Sequence, residues 1–154
     1  MPRRIETEIQ IAASPQQVWA VLADTARYPE WNPFVRRIVG NLAVGERLEV
    51  ELSPPGGRAM TMRPVVLEAR PDHVLRWLGS LGVSGIFDGE HAFEIEASGD
   101  NQVRFVQRES FSGVLAPILL RVIGKQTEQG FVAMNEALKQ RAEAALQPGA
   151  TSRA

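Results

Sequence analysis

At 154 residues, with 44% hydrophobic and 23% charged side chains, the chain is long enough to bury its own core and has an ordinary globular composition, which argues against disordered and fibrous classes. Its 17 basic and 18 acidic residues leave a net charge of -1, and Lys and Arg are scattered among Glu and Asp, so no nucleic-acid partner is expected. With no Cys and two His in unrelated segments, disulfides, a Cys nucleophile and a structural metal site fall away, and neither metal nor cofactor is expected.

The N-terminal stretch MPRRIETEIQI has no apolar signal-peptide core. No apolar run reaches the roughly 20 residues of a bilayer span, so a cytoplasmic protein is expected. From Arg4 to Ile11, Ile5, Thr7, Ile9 and Ile11 alternate with Glu6, Glu8 and Gln10, as in a half-buried strand. Ser14-Pro15-Gln16-Gln17 reads as a helix cap with proline in the first turn, and the helix after it buries Val18, Trp19, Val21 and Leu22. It ends near Asp24. In Tyr28-Pro29-Glu30-Trp31-Asn32-Pro33 each proline disfavours helix at the residue before it, leaving room for one further turn.

Four strands are then expected, over Val35–Gly40, Arg47–Ser53, Met60–Ala69 and Val74–Ser80, separated by turn-rich segments. Two more, Ile86–Ala97 and Val103–Phe111, flank the hairpin signal Ser98-Gly99-Asp100-Asn101. From Leu115 to Leu146, apolar residues including Leu119, Val122, Ile123, Phe131, Met134 and Leu138 recur at helical spacing. Residues 1–147 read as a single domain and 148–154 as a frayed tail. The fold class is α+β: a curved seven-stranded antiparallel sheet wrapped around a long C-terminal helix, with one or two short helices after the first strand. A sheet curled around a helix often leaves space on its concave side.

Pro15-Gln16-Gln17-Val18-Trp19-Ala20-Val21-Leu22-Ala23-Asp24 and Tyr28-Pro29-Glu30-Trp31-Asn32-Pro33-Phe34 resemble the START-like, Bet v 1-like superfamily, in particular its bacterial polyketide cyclase/dehydrase and lipid transport branch. Leu75-Arg76-Trp77, Phe87 to Glu94 and Arg108 to Gly113 continue the resemblance, which covers residue 4 to about 145. It implies the helix-grip fold and a cavity between sheet and helix, which in that superfamily holds lipids, steroids, polyketides or plant metabolites. A few members are cyclases or aromatases and others are carriers or sensors, so the fold does not choose the function.

If Ala97 pairs with Val103, then Ile95 faces Phe105, Phe93 faces Gln107 and His91 faces Glu109, all on the inner side. His91 and Glu109 are the candidate catalytic pair, able to orient a carbonyl or shuttle a proton. The bland alternative is that they satisfy each other, or that a register slip exposes one. Tyr28, Trp31 and Asn32 are candidates for a pocket rim. Met62, Trp77, Phe87, Phe93, Gln107 and Phe111 from the sheet, with Leu119, Ile123 and Phe131 from the helix, complete the candidate ligand-contacting set; core packing is the competing reading of the tryptophans.

Arg63 alternates away from Met60 and Met62 and reads as outward, though an inward Arg63 would meet a ligand carboxylate or Glu109. Gly79 to Gly89 is either a lid or a bend that curls the sheet. Gly124 and Gly130 mark a bend in the long helix or a place where a missing side chain leaves ligand space. Three functions are compatible with these residues: a carrier or binder of a small hydrophobic ligand, a cyclase or dehydratase using His91 and Glu109, and an interaction module with a filled interior and an exposed apolar patch on the lid or the C-terminal helix. The chain is expected to be a monomer or homodimer.

Overall fold

The computed structural model of the protein describes residues 3–145; Leu146 and the tail expected to fray lie outside the described residues. The first strand, β1 (Arg3–Ile11), leads into α1 (Pro15–Ala23) through a capping box. The Ser14 hydroxyl accepts from Gln17 N at 3.2 Å, and the Gln17 side chain accepts from Ser14 N at 2.8 Å, which satisfies two donors that the first helical turn leaves unpaired. After Asp24 come a 3-10 turn (Thr25–Arg27) and one turn of helix, α2 (Tyr28–Trp31). Tyr28 is helical (φ -54, ψ -39) although Pro29 comes next. Pro29 sits in the first turn, where its missing N–H costs nothing, and that overrides the local bias against helix.

The strands β2 (Val35–Val39), β3 (Glu49–Leu52), β4 (Met60–Met62), β5 (Val65–Arg70), β6 (Val74–Ser80), β7 (Asp88–Gly99) and β8 (Gln102–Ser112) precede α3 (Ala116–Ala144). All pairings are antiparallel, in the orders β1-β8-β7-β6-β5 and β2-β3-β4. Bonds from Gly45 N to Val66 O, Val66 N to Glu46 O and Leu48 N to Pro64 O stitch the two sets together.

The strand count is eight rather than seven, because the expected strand Met60–Ala69 is broken in two at Arg63-Pro64. Pro64 has no N–H for a ladder and contributes only its carbonyl, so the chain bends there and re-pairs with a different neighbour. Register shifts at Val35/Arg37, Val66/Glu68 and Ala97/Gly99 add the local twist that curls the sheet.

The outer face carries cross-strand ion pairs: Arg76 with Glu90 and Glu68, Arg104 with Glu8 and Glu96, and Arg108 with Glu6 and Glu94. These are solvent-screened and contribute little stability, but they fix which face points out. The inner face packs on α3 through Phe131, Met134, Leu138 and Ala142, which join Ile11, Leu22, Phe93 and Phe105 in one buried core. The end of α3 is tied to the end of β1 by Lys139, which donates to Gln10 O at 3.0 Å, and by Glu143, which accepts from Lys139 and from Ala12 N, just past the strand, at 2.8 Å. Those contacts, Lys139 first, hold the Glu143 carboxyl below its ordinary range.

The two glycines of α3 do different things. A Cβ at Gly130 would collide with the Phe34 ring, so that vacancy seats a core aromatic rather than a ligand. Gly124 meets nothing within 4 Å. Substituting Gly124→Ala is therefore expected to stabilise by roughly 0.5–1 kcal/mol through helix propensity. Gly130→Ala is expected to destabilise by about 1–3 kcal/mol through overpacking, despite the same propensity gain. Thermal denaturation of the two variants measures both signs.

Candidate functional site

The β7–β8 register is the one that follows from pairing Ala97 with Val103, not the slipped alternative: Ile95 faces Phe105, Phe93 faces Gln107 and His91 faces Glu109. His91 is 4% exposed, with the rings of Phe93, Phe131 and Trp77 centred 4.4, 4.8 and 5.6 Å away. Its Nε2 lies 2.9 Å from Gln107 Oε1. Gln107 Nε2 in turn donates to Asn135 Oδ1 at 2.8 Å and toward the Phe131 carbonyl at 3.4 Å, and Asn135 Nδ2 donates to Thr7 Oγ1 at 2.8 Å. The Thr7 hydroxyl reaches the Gln107 carbonyl at 3.4 Å.

Both ends of this relay are backbone carbonyls, which only accept. The Phe131 carbonyl requires the Gln107 amide to present N–H toward α3, so its oxygen faces His91, and His91 must carry a proton on Nε2. Nδ1 is left directed at Glu109 Oε1, 3.4 Å away. The Glu109 carboxylate occupies the space above Gly89 on β7, where any Cβ would collide with its Oε2. Gly89 is therefore part of the site, because it makes room for the charged group.

His91 and Glu109 form one wall of a cavity between the concave sheet and α3. The remaining lining is Phe34, Val50, Leu52, Pro54, Met60, Met62, Trp77, Phe87, Gly89, Phe111, Ile123 and Thr127. The space open to the centre of a water molecule is about 50 Å³, where one water needs roughly 10–15 Å³. In this state the cavity is narrow. It is bounded by the main core on one side and by a smaller cluster on the other, in which Phe87 stacks on Phe111 (centroids 5.5 Å apart) over Ala116.

Of the expected ligand-contacting residues, Met62, Trp77, Phe87, His91, Glu109, Phe111 and Ile123 meet at this cavity. The others sit elsewhere. Tyr28 is wholly buried in the main core and donates its hydroxyl to Leu22 O at 2.5 Å. Burial, with Asp24 nearby, pushes its phenol far above the ordinary range. The Asn32 side chain accepts from Phe34 N and Val35 N at 3.0 and 2.8 Å, a local turn rather than a rim. Trp31 packs on the main core and edge-on to Tyr28. Phe93 and Phe131 stand behind His91 in the core, Gln107 is the relay, and Leu119 packs with the Phe87–Phe111 cluster.

Arg63 points outward and pairs with Glu49 at 3.5 Å, as alternation favours. Sequence reasoning missed Phe34, Val50, Leu52, Pro54, Gly89 and Thr127 as lining. Val50 and Leu52 carried a legible signal, the alternation of β3; Phe34 and Pro54 lie in connections and carried none.

The family model for polyketide cyclase / dehydrase and lipid transport matches residues 2–143. The chain belongs to this family. Among solved structures, this family member is similar in fold to norcoclaurine synthase of Thalictrum flavum, with 14% identity, a TM-score of 0.73, and coverage of 96% of this chain and 98% of that one. It is likewise similar to the Zhui aromatase/cyclase of a Streptomyces species (18%, 0.74, 96% and 98%) and to a hypothetical protein of Helicobacter pylori (21%, 0.74, 91% and 88%). No curated protein matches the sequence. At these identities the likeness establishes the helix-grip fold and no activity.

Replacing Gln107 with Leu leaves His91 Nε2 and Asn135 without their buried partner. It is expected to cost about 1–3 kcal/mol of stability. Nitrogen NMR of the unmodified protein is expected to show the His91 proton on Nε2, and the variant to lose that single-tautomer signature.

Proposed function

We propose that this protein binds a small hydrophobic molecule in the cavity between sheet and α3 and holds a polar group of that molecule against His91 and Glu109. The observation that carries this reading is the make-up of the lining. It is apolar nearly throughout, and its ionisable groups, among the described residues, are gathered at one place. Such a site gains affinity from burial of apolar surface and orientation from one hydrogen-bonding end. The family description and the cyclase and synthase neighbours fit a pocket of this kind.

The narrowness of the empty cavity is compatible with occupation. Met60 and Met62 form one wall on a strand of only three residues, and unbranched thioether chains repack at little cost. A ligand enters by moving those chains and the connection formed by residues 54–59, not by displacing the core.

A second reading, acid–base catalysis of the cyclase or dehydratase type, is favoured by the relay. A ring whose Nε2 proton is committed to Gln107 keeps only its Nδ1 edge, with Glu109, for proton exchange with a bound molecule. In that chemistry the pair would remove a proton beside a carbonyl and return it to the departing or newly formed oxygen, with no net change in the pair.

The two readings share a binding test. Calorimetry with naphthol and its shape-matched analogue methylnaphthalene separates the polar contact from apolar burial. His91→Phe is expected to weaken naphthol by about tenfold, the value of one hydrogen bond, and to leave methylnaphthalene nearly unchanged. Ile123→Trp is expected to fill the cavity and abolish both. Equal affinities for the two compounds in the unmodified protein would remove the polar contact from the account.

A further inference from the structure

Seven of the eleven large hydrophobic residues that stand exposed among the described residues lie in two short segments: Leu81, Val83 and Ile86 in the β6–β7 loop, and Val114, Leu115, Ile118 and Val122 at the start of α3. Backbone bonds from Val114 N to Gly85 O (3.1 Å) and from Leu115 N to Ile86 O (2.9 Å) hold the two segments side by side, so the seven residues form one patch. Isolated exposed hydrophobics are ordinary; a contiguous group of this size is not. The patch lies on the outer side of the cavity wall. Phe87 and Ile123, neighbours of Ile86 and Val122 in the chain, turn inward to line it.

Charge indicates what covers the patch. Three segments surround the cavity on this side: residues 53–62, 79–87 and 113–127. Together they contain three cations, Arg58, Arg121 and Lys125, while the whole chain has a net charge of -1; the carboxylates next to them are Asp88, which accepts from Ser80 Oγ and Gly85 N within the loop, and Glu128, one residue beyond the third segment. None of the three cations has an ion-pair partner among the described residues, whereas the arginines of the outer sheet face are paired. On α3, Ile118, Arg121, Val122 and Lys125 are spaced three and four apart, so apolar and basic side chains share one exposed face.

We infer that this patch is a docking surface for an anionic lipid bilayer, with Val83, Ile118 and Val122 entering the interface and Arg121, Lys125 and Arg58 meeting lipid phosphates. Apolar chains flanked by cations, with the nearby Asp88 carboxylate taken up by Ser80 and Gly85, match such a surface, whereas a purely apolar protein partner would leave the cations unmatched. The inference draws on the proposed hydrophobic ligand in one respect. A cavity whose wall lies against the bilayer exchanges an apolar molecule with lipid without taking it through water.

The test is co-sedimentation of the full chain with vesicles of phosphatidylcholine alone or containing about 30 mol % phosphatidylglycerol, at low and high salt. The expected result is at least about tenfold stronger partitioning onto the anionic vesicles, reduced by salt, and lost in the double variant V83D/I118D. Arg121→Gln with Lys125→Gln is expected to weaken it by roughly an order of magnitude on its own. Binding of the fluorescent probe phenylnaphthylamine in vesicle-free buffer, blocked by Ile123→Trp, reports the cavity separately, and the surface variants are expected to keep it. Failure to sediment with either vesicle, or equal sedimentation with both, would overturn the inference whether or not the probe binds. A dimer in light scattering that V83D/I118D converts to monomer would also overturn it, since the patch would then be covered by a second copy.

Discussion

The structure turns on a buried amide. Gln107 is wholly inaccessible, in the middle of the longest hairpin, on a face that also carries Val103, Phe105, Glu109 and Phe111. Its donors and acceptor must be satisfied inside, because an unpaired buried polar group costs about 1–3 kcal/mol. Satisfying them joins β8 to three elements: β7, its hairpin partner, through His91, and two more distant in the chain, α3 through Asn135 and the Phe131 carbonyl and β1 through Thr7. The relay sets how α3 sits in the curve of the sheet and which edge of His91 faces the cavity. Packing alone would allow the helix to slide along an apolar surface; the hydrogen-bond directions do not.

Beyond that relay, polarity changes in an ordered way. Next to Gln107 the interior is filled by Phe93, Phe105 and Phe131, and one layer further along β7 and β8 it gives way to His91 and Glu109 at the cavity wall. The glycine at position 89 creates the room for a carboxylate where the strand would otherwise carry a side chain. Beyond Glu109 the lining is apolar again, through Phe87, Phe111 and Ile123, out to the exposed hydrophobic rim. A bound molecule is therefore read at one point and solvated by hydrocarbon elsewhere, which suits a site that tolerates shape and selects on one polar group.

Much of this was legible in the sequence, for identifiable reasons. Period-two alternation around a strong turn signal pointed to the observed β7–β8 register, with a one-residue slip as the alternative, and with it to the facing of His91 toward Glu109. The capping box and the long 3.6-residue period fixed α1 and α3. The features that escaped depend on long-range geometry. Pro64 breaks a strand only because the segment before β3 is there to pair with Pro64 and Val66. Tyr28, Trp31 and Asn32 lie in a connection that alternation does not orient, which left packing and a rim both open; they are held by a core contact and a local turn. Gly130 read as either a bend in the helix or ligand space, and its open side is taken by Phe34, a residue nearly a hundred positions away in sequence.

The central claim is that the interior takes up a hydrophobic molecule rather than serving only as core. Native mass spectrometry of the purified protein, with organic extraction and identification of whatever accompanies it, tests that most directly. The expected result is a single adduct at one per chain, apolar over most of its surface and carrying at least one oxygen, and absent from Ile123→Trp. A protein that is empty as purified, and remains empty in the presence of excess phenylnaphthylamine, would contradict it and make the cavity a packing gap.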